Sequence, residues 1–441
     1  MSRARSYTWH AKSVPSVSED LAFRGLISQE SAGLRAAIDH ERLTVYHGID
    51  PTADSLHVGH LIGALTLRRL QQGGHRPIAL AGGGTGQIGD PGGRDSERPL
   101  LNREQIEANV AAIGAQLERL LDFSPGDGGS SALLLNNADW LVDYRLVDFL
   151  RDVGKHFTVN QMIAKESVKN RIDRPGQGIS FTEFSYMLLQ ACDYLYLFDH
   201  HGCRLQIGGS DQWGNITMGL EYVRKVRQAD AHAFTWPLLT RSDGSKIGKS
   251  DNADVCWLDA RRTSPFAFYQ YFVRKADDEV GQLIRLYTFS SHEEILALDE
   301  ATRERPQQRE AQRALAREVT TLVHGPESAT RAEHAAAALY GEDISGLDEP
   351  LLLEVFSGAP SSVLPRSVLD DGGLDLAEAL ATTGLSPSRG AARTAIEQGG
   401  AYVNNRRRSA EQGSLSHEDL LFGRYAVLRR GRRDYHLLRF E

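Results

Sequence analysis

Residues 43–60 read LTVYHGIDPTADSLHVGH, an apolar segment that passes through a polar turn into the start of a helix. Leu43–Tyr46 is predicted to be a short buried strand. The helix is predicted to run from about His57 to Gln72, where a glycine pair ends it. A strand, a turn and a helix in this order form the repeating unit of α/β folds, so this stretch sets the expected fold class.

The alternation of strands and helices continues along the chain. Apolar runs at 77–81 and 132–135 are predicted strands, 141–153 is helix-like, and 205–207 is a short strand before a glycine turn. This order predicts a Rossmann-like fold on a doubly wound parallel sheet. Ligands of such sheets bind at the carboxyl ends of the strands, and most polar motifs of this chain directly follow the predicted strands.

Two short motifs, His57–His60 and Lys246–Ser250, occur in this order about 190 residues apart. The first places two imidazoles on the first turn of a helix, where N–H groups and the helix dipole favour phosphate. The second places two ammonium groups in a glycine-containing loop, where they can follow charge onto a departing pyrophosphate. Each motif alone is more often a structural histidine pair or a solvated basic turn. Together they predict an ATP site.

Two other glycine patterns predict different nucleotide sites less well. Gly84–Gly89 satisfies G-x-G-x-x-G, but Asp90-Pro91 follows at once and proline disfavours the helix that a dinucleotide site requires. Gly244–Ser250 resembles a Walker A loop but has three residues between its glycines where that motif needs four. We therefore expect neither an NAD site nor a P-loop.

The composition is that of an ordinary globular protein. The chain has 441 residues, 41% hydrophobic and 24% charged, enough for two to three domains. It contains no run of about 18 apolar residues, so no membrane-spanning helix is expected. Three scattered cysteines without C-x-x-C spacing favour a reducing compartment, and a cytoplasmic location is expected. The first 18 residues favour an untethered extension over a short organellar presequence.

Charge is unevenly distributed along the chain. The formal net charge is −8, yet residues 386–441 contain 11 Arg, no Lys and 6 acidic residues, a local net charge of +5. A basic C-terminal segment on an acidic body indicates a small electrostatic footprint for RNA.

Changes in composition predict the domain boundaries. Residues 306–322 and 329–339 are predicted helices, so the part after the α/β domain is expected to be helical. A stretch rich in Gly, Ser, Pro and acidic residues follows and is predicted to be a linker. The predicted segments are an N-terminal extension at 1–20, a catalytic domain at 21–259, a helical domain at 260–340, a linker at 341–373 and an α+β module at 374–441.

Longer motifs surround the two short ones. They are Tyr46–Leu56, Ile88–Pro91, Phe184–Asp193 and Gln206–Asn215. The short motifs resemble the signatures of class I aminoacyl-tRNA synthetases, and the longer ones resemble the bacterial-type tyrosyl-tRNA synthetases over about residues 20–441. In the C-terminal module, Ser386–Asn404 resembles an S4-type RNA-binding domain.

The resemblance implies a two-step reaction. L-Tyrosine and ATP would form tyrosyl-adenylate and pyrophosphate, and tyrosine would then pass to the 3′ end of tRNA(Tyr). The attacking carboxylate is already ionised, so alignment and charge stabilisation would carry the reaction without a general base. Mg²⁺ would accompany ATP without a protein metal site. The helical domain and the S4-like module would bind tRNA, and a homodimer would form with Ile179–Phe181 in the subunit contact.

The resemblance also implies roles for individual residues. Stabilisation of the phosphate charge is implied for His57, His60, Lys246, Lys249, Arg94 and Arg98. Contact with L-tyrosine is implied for Tyr46, Asp90, Tyr186, Gln190 and Asp193. Contact with ATP or the adenylate is implied for Asp50, Gly59, Asp211, Gln212, Lys249 and Ser250. Contact with RNA is implied for Arg389, Arg393, Arg406 and Arg407.

Spacing and local departures add to these assignments. Tyr186, Gln190 and Asp193 stand at i, i+4 and i+7, which places them on one face of a helix. His47 stands where relatives often have cysteine, and Gly63 stands where some have threonine.

Three other functions remain open. A tryptophan-specific relative would not need Tyr46 and Asp193 to meet a phenolic hydroxyl. A nucleotidyltransferase would use only the first motif, and a catalytically silent RNA-binding protein would need neither. The presence of both motifs in this chain favours the synthetase.

Overall fold

The computed structural model describes residues 15–90, 101–125, 129–165, 168–169, 172, 178–238, 255–432 and 434–441. The chain forms two compact units. The first runs to Thr263 and includes Lys275–Leu315, and the second comprises Ser264–Arg274 and Ala316–Glu441. The predicted helical domain at 260–340 is therefore divided between the two units.

The first unit is built on a six-stranded sheet in the order β1-β6-β5-β2-β3-β4. All pairings are parallel except the edge pair β1–β6, which is antiparallel. The predicted parallel α/β sheet is thus confirmed. Its strands are β1 Gln29–Glu30, β2 Thr44–Ile49, β3 Arg76–Ala81, β4 Leu133–Asn136, β5 Cys203–Gly209 and β6 His232–Trp236.

The helices connect and cover the strands in both units. None that the structure describes is long and apolar enough to cross a membrane. In chain order they are α1 Val17–Phe23, α2 Leu34–His40, α3 Val58–Gln72, α4 Arg103–Leu117, α5 Ala138–Leu141, α6 Leu146–Asp152, α7 Val159–Ile163, α8 Phe181–His201, α9 Trp213–Arg227, α10 Pro265–Val273, α11 Asp277–Tyr287, α12 His292–Glu304, α13 Glu310–His324, α14 Pro326–Ala338, α15 Glu349–Val355, α16 Leu376–Thr382 and α17 Arg389–Glu397.

Two predicted helices are interrupted. The stretch 141–153 contains only the last residue of α5 and all of α6, because Arg145 has an extended backbone (φ −73°, ψ 137°) that starts a new helix. The stretch 306–322 begins as a 3₁₀ turn, and α13 starts only after Arg309, whose φ is +50°. The Arg309 guanidinium donates a hydrogen bond to the carbonyl of Lys275 at 2.8 Å, a contact distant in sequence that helical periodicity does not reveal.

Helix α3 is fixed at both ends by other segments of the first unit. At its start, the Val58 N–H donates to the Cys256 carbonyl at 3.0 Å, and the Val58 carbonyl accepts from the Tyr287 hydroxyl at 2.8 Å. At its end, the guanidinium groups of Arg69 and Arg24 both donate to the carbonyl of Thr288. Helix α3 is therefore held in position by hydrogen bonds from outside the α/β repeat.

The second unit contains a five-stranded sheet in the order β10-β9-β12-β13-β7 and a separate pair, β11–β8. Its pairings are antiparallel except β7–β13, which is parallel. The strands are β7 Ser361–Leu364, β8 Leu374–Asp375, β9 Ala401–Val403, β10 Arg406–Arg407, β11 Ser414–Leu415, β12 Tyr425–Arg430 and β13 Asp434–Phe440.

The stretch predicted as a linker contains regular structure. Helix α15 and strand β7 both lie within 341–373, and β7 is the edge strand of the C-terminal sheet. Leu352 and Phe356 are fully buried, so apolar side chains between the glycines and prolines anchor this stretch in the second unit.

Candidate active site

A cavity of about 320 Å³ opens at the carboxyl ends of the parallel strands. Its walls come from β2, β5, α3 and α8 and from the turns that follow β2, β3, β5 and β6. Strands β2 and β5 are neighbours, with β3 on one side of the pair and β6 on the other. The cavity therefore lies at the point where the strand order reverses, as expected for ligand sites in open α/β sheets.

Asp193 lines this cavity from α8 and is only 3% exposed. The Asn137 amide donates to one carboxylate oxygen at 2.9 Å, and the indole N–H of Trp140 donates to the other at 2.8 Å. Burial raises the pKa of Asp193 to about 7, although these two hydrogen bonds favour the charged form. Asp193 is thus a carboxylate held in a fixed orientation.

Three polar atoms around the cavity are buried without a hydrogen-bond partner among the described residues. They are the Tyr46 hydroxyl, the Gln190 Oε1 and the Gln206 Oε1. Tyr46 and Gln206 stand opposite each other in the β2–β5 register, and all three residues line the cavity. A buried polar group without a partner costs about 1–3 kcal/mol, so the site suits a ligand that supplies the missing partners.

Burial also affects the Tyr46 hydroxyl itself. Its pKa is raised well above the ordinary value, first by burial and then by the charge of Asp193. The hydroxyl therefore stays protonated and can both donate and accept a hydrogen bond.

The next part of the cavity is strongly acidic. The Tyr186 hydroxyl donates to Asp50 at 2.9 Å, and the Thr85 hydroxyl donates to the other Asp50 oxygen at 2.8 Å. Burial, followed by the charges of Asp50 and Asp90, raises the pKa of Tyr186 well above its ordinary value. Four aspartates line the cavity, and no Lys or Arg is among the described residues that do so, which favours an ammonium group there. They are Asp50, Asp90, Asp193 and Asp211.

Asp90 belongs to a small polar network with α9. The Gln212 amide donates to one Asp90 oxygen, and the Asn215 amide donates to the other at 3.5 Å. Asn215 also donates to the Gln212 Oε1 at 3.2 Å. The predicted residues Asp90 and Gln212 are thus in direct contact, with Asp211 lining the same cavity.

The histidine pair lies at the start of α3. The rings of His57 and His60 stack with centroids 3.8 Å apart and planes at 18°. Burial lowers the pKa of His57 to about 4, so its ring is neutral at pH 7. Its Nδ1 accepts the N–H of Gly59 at 3.0 Å, which leaves the proton on Nε2 as a donor.

This arrangement differs from the expected use of free helix N–H groups. The N–H groups of Val58 and Gly59 are already bonded to Cys256 and His57. An anion at the start of α3 would therefore be bound by imidazole donors and by the helix dipole. A Cβ at Gly59 would come within 2.8 Å of the His57 ring, so this position must be glycine for the ring to pack there.

His47 is packed against Gly63 of α3. Its Nδ1 contacts the Ile207 carbonyl at 3.3 Å, and its ring meets Trp236 edge-on at 5.2 Å. Burial lowers the pKa of His47 to about 4, so the ring is neutral at pH 7. Its proton is assigned to Nδ1, because the Ile207 carbonyl can only accept a hydrogen bond. A Cβ at position 63 would overlap the imidazole. The His47 ring therefore occupies the space that a side chain at position 63 would need.

The predicted cationic residues lie outside the described residues. This applies to Arg94, Arg98, Lys246, Lys249 and Ser250. The segments that contain them, 91–100 and 239–254, directly follow Asp90 and Leu238, which both line the cavity.

The predicted RNA-binding arginines lie on two elements of the second unit. Arg389 and Arg393 lie on α17, and Arg389 forms an ion pair with Glu378 at 2.6 Å. Arg406 and Arg407 are exposed on β10, where the Arg407 guanidinium donates to the Gln398 carbonyl just after α17. The structure thus brings β10 to the end of α17.

Sequence reasoning assigned no role to three residues of the site. Gln206 interrupts a buried apolar strand, and this unusual polar position is a signal that could have identified it. Asn137 follows a strand directly, as ligand-binding residues of such folds do. Trp140 carries no comparable signal, because its contact with Asp193 depends on how α5 packs against α8.

Comparisons with known proteins agree along nearly the whole chain. Residues 39–341 match the family described as tRNA synthetases class I (W and Y), and residues 354–438 match the tyrosine--tRNA ligase SYY-like C-terminal domain. The tyrosine--tRNA ligase of Roseiflexus castenholzii is 51% identical over 96% of this chain and 98% of its own length. That of Bacillus caldotenax is 49% identical over 96% of this chain and 99% of its own.

Solved structures agree in fold. A C-terminally truncated mitochondrial tyrosyl-tRNA synthetase from Aspergillus nidulans has a TM-score of 0.66 and 33% identity, covering 74% of this chain and 94% of that chain. A tyrosyl-tRNA synthetase from Archaeoglobus fulgidus complexed with L-tyrosine has a TM-score of 0.53 at 18% identity, covers 72% of this chain and 99% of that one, and shares the fold. The chain therefore belongs to the tyrosyl-tRNA synthetase family of class I tRNA synthetases.

Proposed function

We infer that this chain is a tyrosine--tRNA ligase, which uses ATP to activate L-tyrosine and then charges tRNA(Tyr). The assignment of the substrate rests on the buried polar atoms of Tyr46, Gln190 and Gln206, which have no hydrogen-bond partner among the described residues, and on the oriented carboxylate of Asp193. A phenolic hydroxyl can donate to Asp193 and exchange a hydrogen bond with Tyr46. The surrounding aspartates favour the ammonium group of an amino acid.

We assign the residues to the first step as follows. Tyr186, Gln190 and Asp90 hold the tyrosine ammonium, and Asp50, Gly59, Asp211 and Gln212 contact the nucleotide. The neutral ring of His57 and the stacked ring of His60 donate hydrogen bonds to phosphate. The tyrosine carboxylate attacks the α-phosphorus of ATP. The bond between the α-phosphorus and the oxygen that bridges it to the β-phosphate breaks, and pyrophosphate leaves with the electron pair.

The leaving pyrophosphate requires positive charge that the described wall of the cavity lacks. We propose that Lys246, Lys249, Arg94 and Arg98 supply it, with Ser250 beside the adenylate. In the sequence their segments directly follow Asp90 and Leu238, which line the cavity, and this supports the assignment. Charge that stabilises the departing group more strongly than the bound substrate accelerates the step.

Mg²⁺ is proposed to bind together with ATP. The described residues contain no group of three or more His, Cys, Asp or Glu side chains that could hold a metal ion. Phosphate oxygens and water are suitable ligands for Mg²⁺, and when bound the ion neutralises phosphate charge.

The second step requires a surface for tRNA and an assembled enzyme. We propose that Arg389, Arg393, Arg406 and Arg407 of the S4-like module contact phosphates of tRNA(Tyr). We further propose a homodimer in a cytoplasmic location. Fourteen large apolar side chains are exposed among the described residues, and ten of them lie between Leu134 and Phe181, which includes the predicted subunit contact.

The function is tested by amino-acid-dependent exchange of pyrophosphate into ATP. We expect exchange with tyrosine, and Asp193→Ala should lower kcat/KM for tyrosine by about tenfold or more relative to phenylalanine. Asp199→Ala is the matched control, since it lies on the same helix but outside the cavity. Exchange with tryptophan instead of tyrosine would assign the chain to the tryptophan-specific branch.

A further inference from the structure

A stack of three aromatic rings reaches Trp140 from the protein surface. The rings of Trp140 and Tyr196 are nearly parallel, with centroids 4.2 Å apart and planes at 10°. The Tyr196 ring also stacks on the ring of His200, with centroids 4.1 Å apart and planes at 22°. The His200 Nδ1 also lies 2.9 Å from the Tyr196 carbonyl, and His200 is exposed. The stack thus runs from solvent to the donor that holds Asp193.

The placement of these rings follows from helix geometry. Asp193, Tyr196 and His200 all lie on α8, at successive intervals of three and four residues, so they form one row on one helix face. Trp140 lies on the short helix α5 and crosses the first two members of the row. Its N–H is bonded to Asp193 and its ring face is packed on Tyr196.

The two contacts of Trp140 constrain different degrees of freedom. A single hydrogen bond fixes the position of the indole nitrogen but leaves the ring free to tilt around it. The parallel contact with Tyr196 fixes the ring plane and therefore the direction of the N–H bond. That direction determines which face of the Asp193 carboxylate remains open towards the cavity.

We propose that Tyr196 and His200 are positioning residues for recognition of the tyrosine hydroxyl. Neither lines the cavity, so they act through Trp140 and Asp193 without contacting the substrate. The inference rests on the proposed assignment of the cavity to tyrosine. Its consequence is that the specificity determinant extends from the pocket to the outer end of α8.

The test is the ratio of kcat/KM for tyrosine to kcat/KM for phenylalanine in pyrophosphate exchange. Tyr196→Leu keeps an apolar side chain but removes the flat face, and we expect this ratio to fall by about three- to tenfold, the size of one aromatic contact. Tyr196→Phe retains the stack and should retain the ratio. His200→Ala removes only the outer ring and should lower the ratio less than Tyr196→Leu.

The ratio distinguishes positioning from simple loss of stability. Both substrates are measured on one preparation, so a smaller folded fraction cancels. Phe23→Leu is a matched control. The ring of Phe23 stacks on that of His292, with centroids 3.7 Å apart and planes at 21°, and neither residue lines the cavity. An unchanged ratio in Tyr196→Leu, or an equal fall in Phe23→Leu, would overturn the proposal. Wild-type protein that shows no tyrosine-dependent exchange would instead refute the proposed function.

Discussion

At the scale of single residues, Asp193 has a pKa raised into the neutral range. Its raised pKa of about 7 arises first from burial and is also increased by the charge of Asp50, while Asn137 and Trp140 oppose it. A phenolic hydroxyl donates best to the ionised carboxylate. Recognition of that hydroxyl should therefore strengthen as the pH rises through about 7.

We expect the tyrosine-to-phenylalanine ratio of kcat/KM to increase between pH 6 and pH 8 and then to level off. Titration of ATP and of the amino group affects both substrates and cancels in the ratio. Asp193→Asn should give a ratio that does not change with pH. A flat wild-type ratio over this range would show that Asp193 is ionised throughout.

The residues that could be predicted are those whose spacing fixes their direction. Tyr186, Gln190 and Asp193 were expected on one helix face, and all three lie on α8 and line the cavity. Trp140 could not be predicted, because its role depends on the angle at which a four-residue helix meets α8. Local sequence contains no information about that angle.

At the scale of secondary-structure elements, α3 depends on contacts from distant segments. Its Val58 lies between the two histidines, and the hydroxyl of the buried Tyr287 is bonded to the Val58 carbonyl. Helical periodicity and capping predicted where α3 would lie in the sequence. They could not predict the residues near 256 and 287 that hold its first turn in place.

Tyr287→Phe removes one hydrogen bond to the start of α3. We expect a loss of about 1 kcal/mol in the free energy of unfolding and a several-fold rise in KM for ATP, with little change in KM for tyrosine. Tyr222→Phe removes a similar bond, from a buried hydroxyl to the Asp152 carbonyl, and serves as the control. Equal changes in KM for ATP in both variants would contradict a specific role for Tyr287.

At the scale of the whole molecule, the two units suggest separate tasks. Every described residue that lines the cavity lies in the first unit, whereas the proposed RNA-binding arginines lie in the second. Truncation after about residue 345 should therefore preserve pyrophosphate exchange and strongly reduce tRNA charging. Both activities should be measured on the same preparation, and equal loss of both would indicate that the removed residues support folding of the catalytic unit.

A double variant, Arg406→Ala with Arg407→Ala, is the control in the full-length chain. It should weaken charging without affecting exchange, and the salt dependence of tRNA binding should become shallower because fewer counterions are released. Unaltered charging and salt dependence would exclude these two arginines from the RNA contact.

The exposed apolar side chains between Leu134 and Phe181 predict the assembly state. Val147, on α6, is 72% exposed, and Val147→Glu should convert a dimer into a monomer in analytical ultracentrifugation. Leu296→Glu is the control, because Leu296 is 53% exposed but lies outside this stretch. A wild-type monomer at micromolar concentration would refute the homodimer.

The packing of His47 against Gly63 also constrains how these two positions can evolve. Glycine inside a helix lowers the stability of the helix by roughly 1 kcal/mol relative to alanine. Because the His47 ring excludes an alanine side chain at position 63, α3 retains the less stable glycine there. A side chain gained first at position 63 would collide with the imidazole, whereas loss of the histidine first leaves only a void. Stepwise exchange of the pair is therefore sterically easier when position 47 changes first.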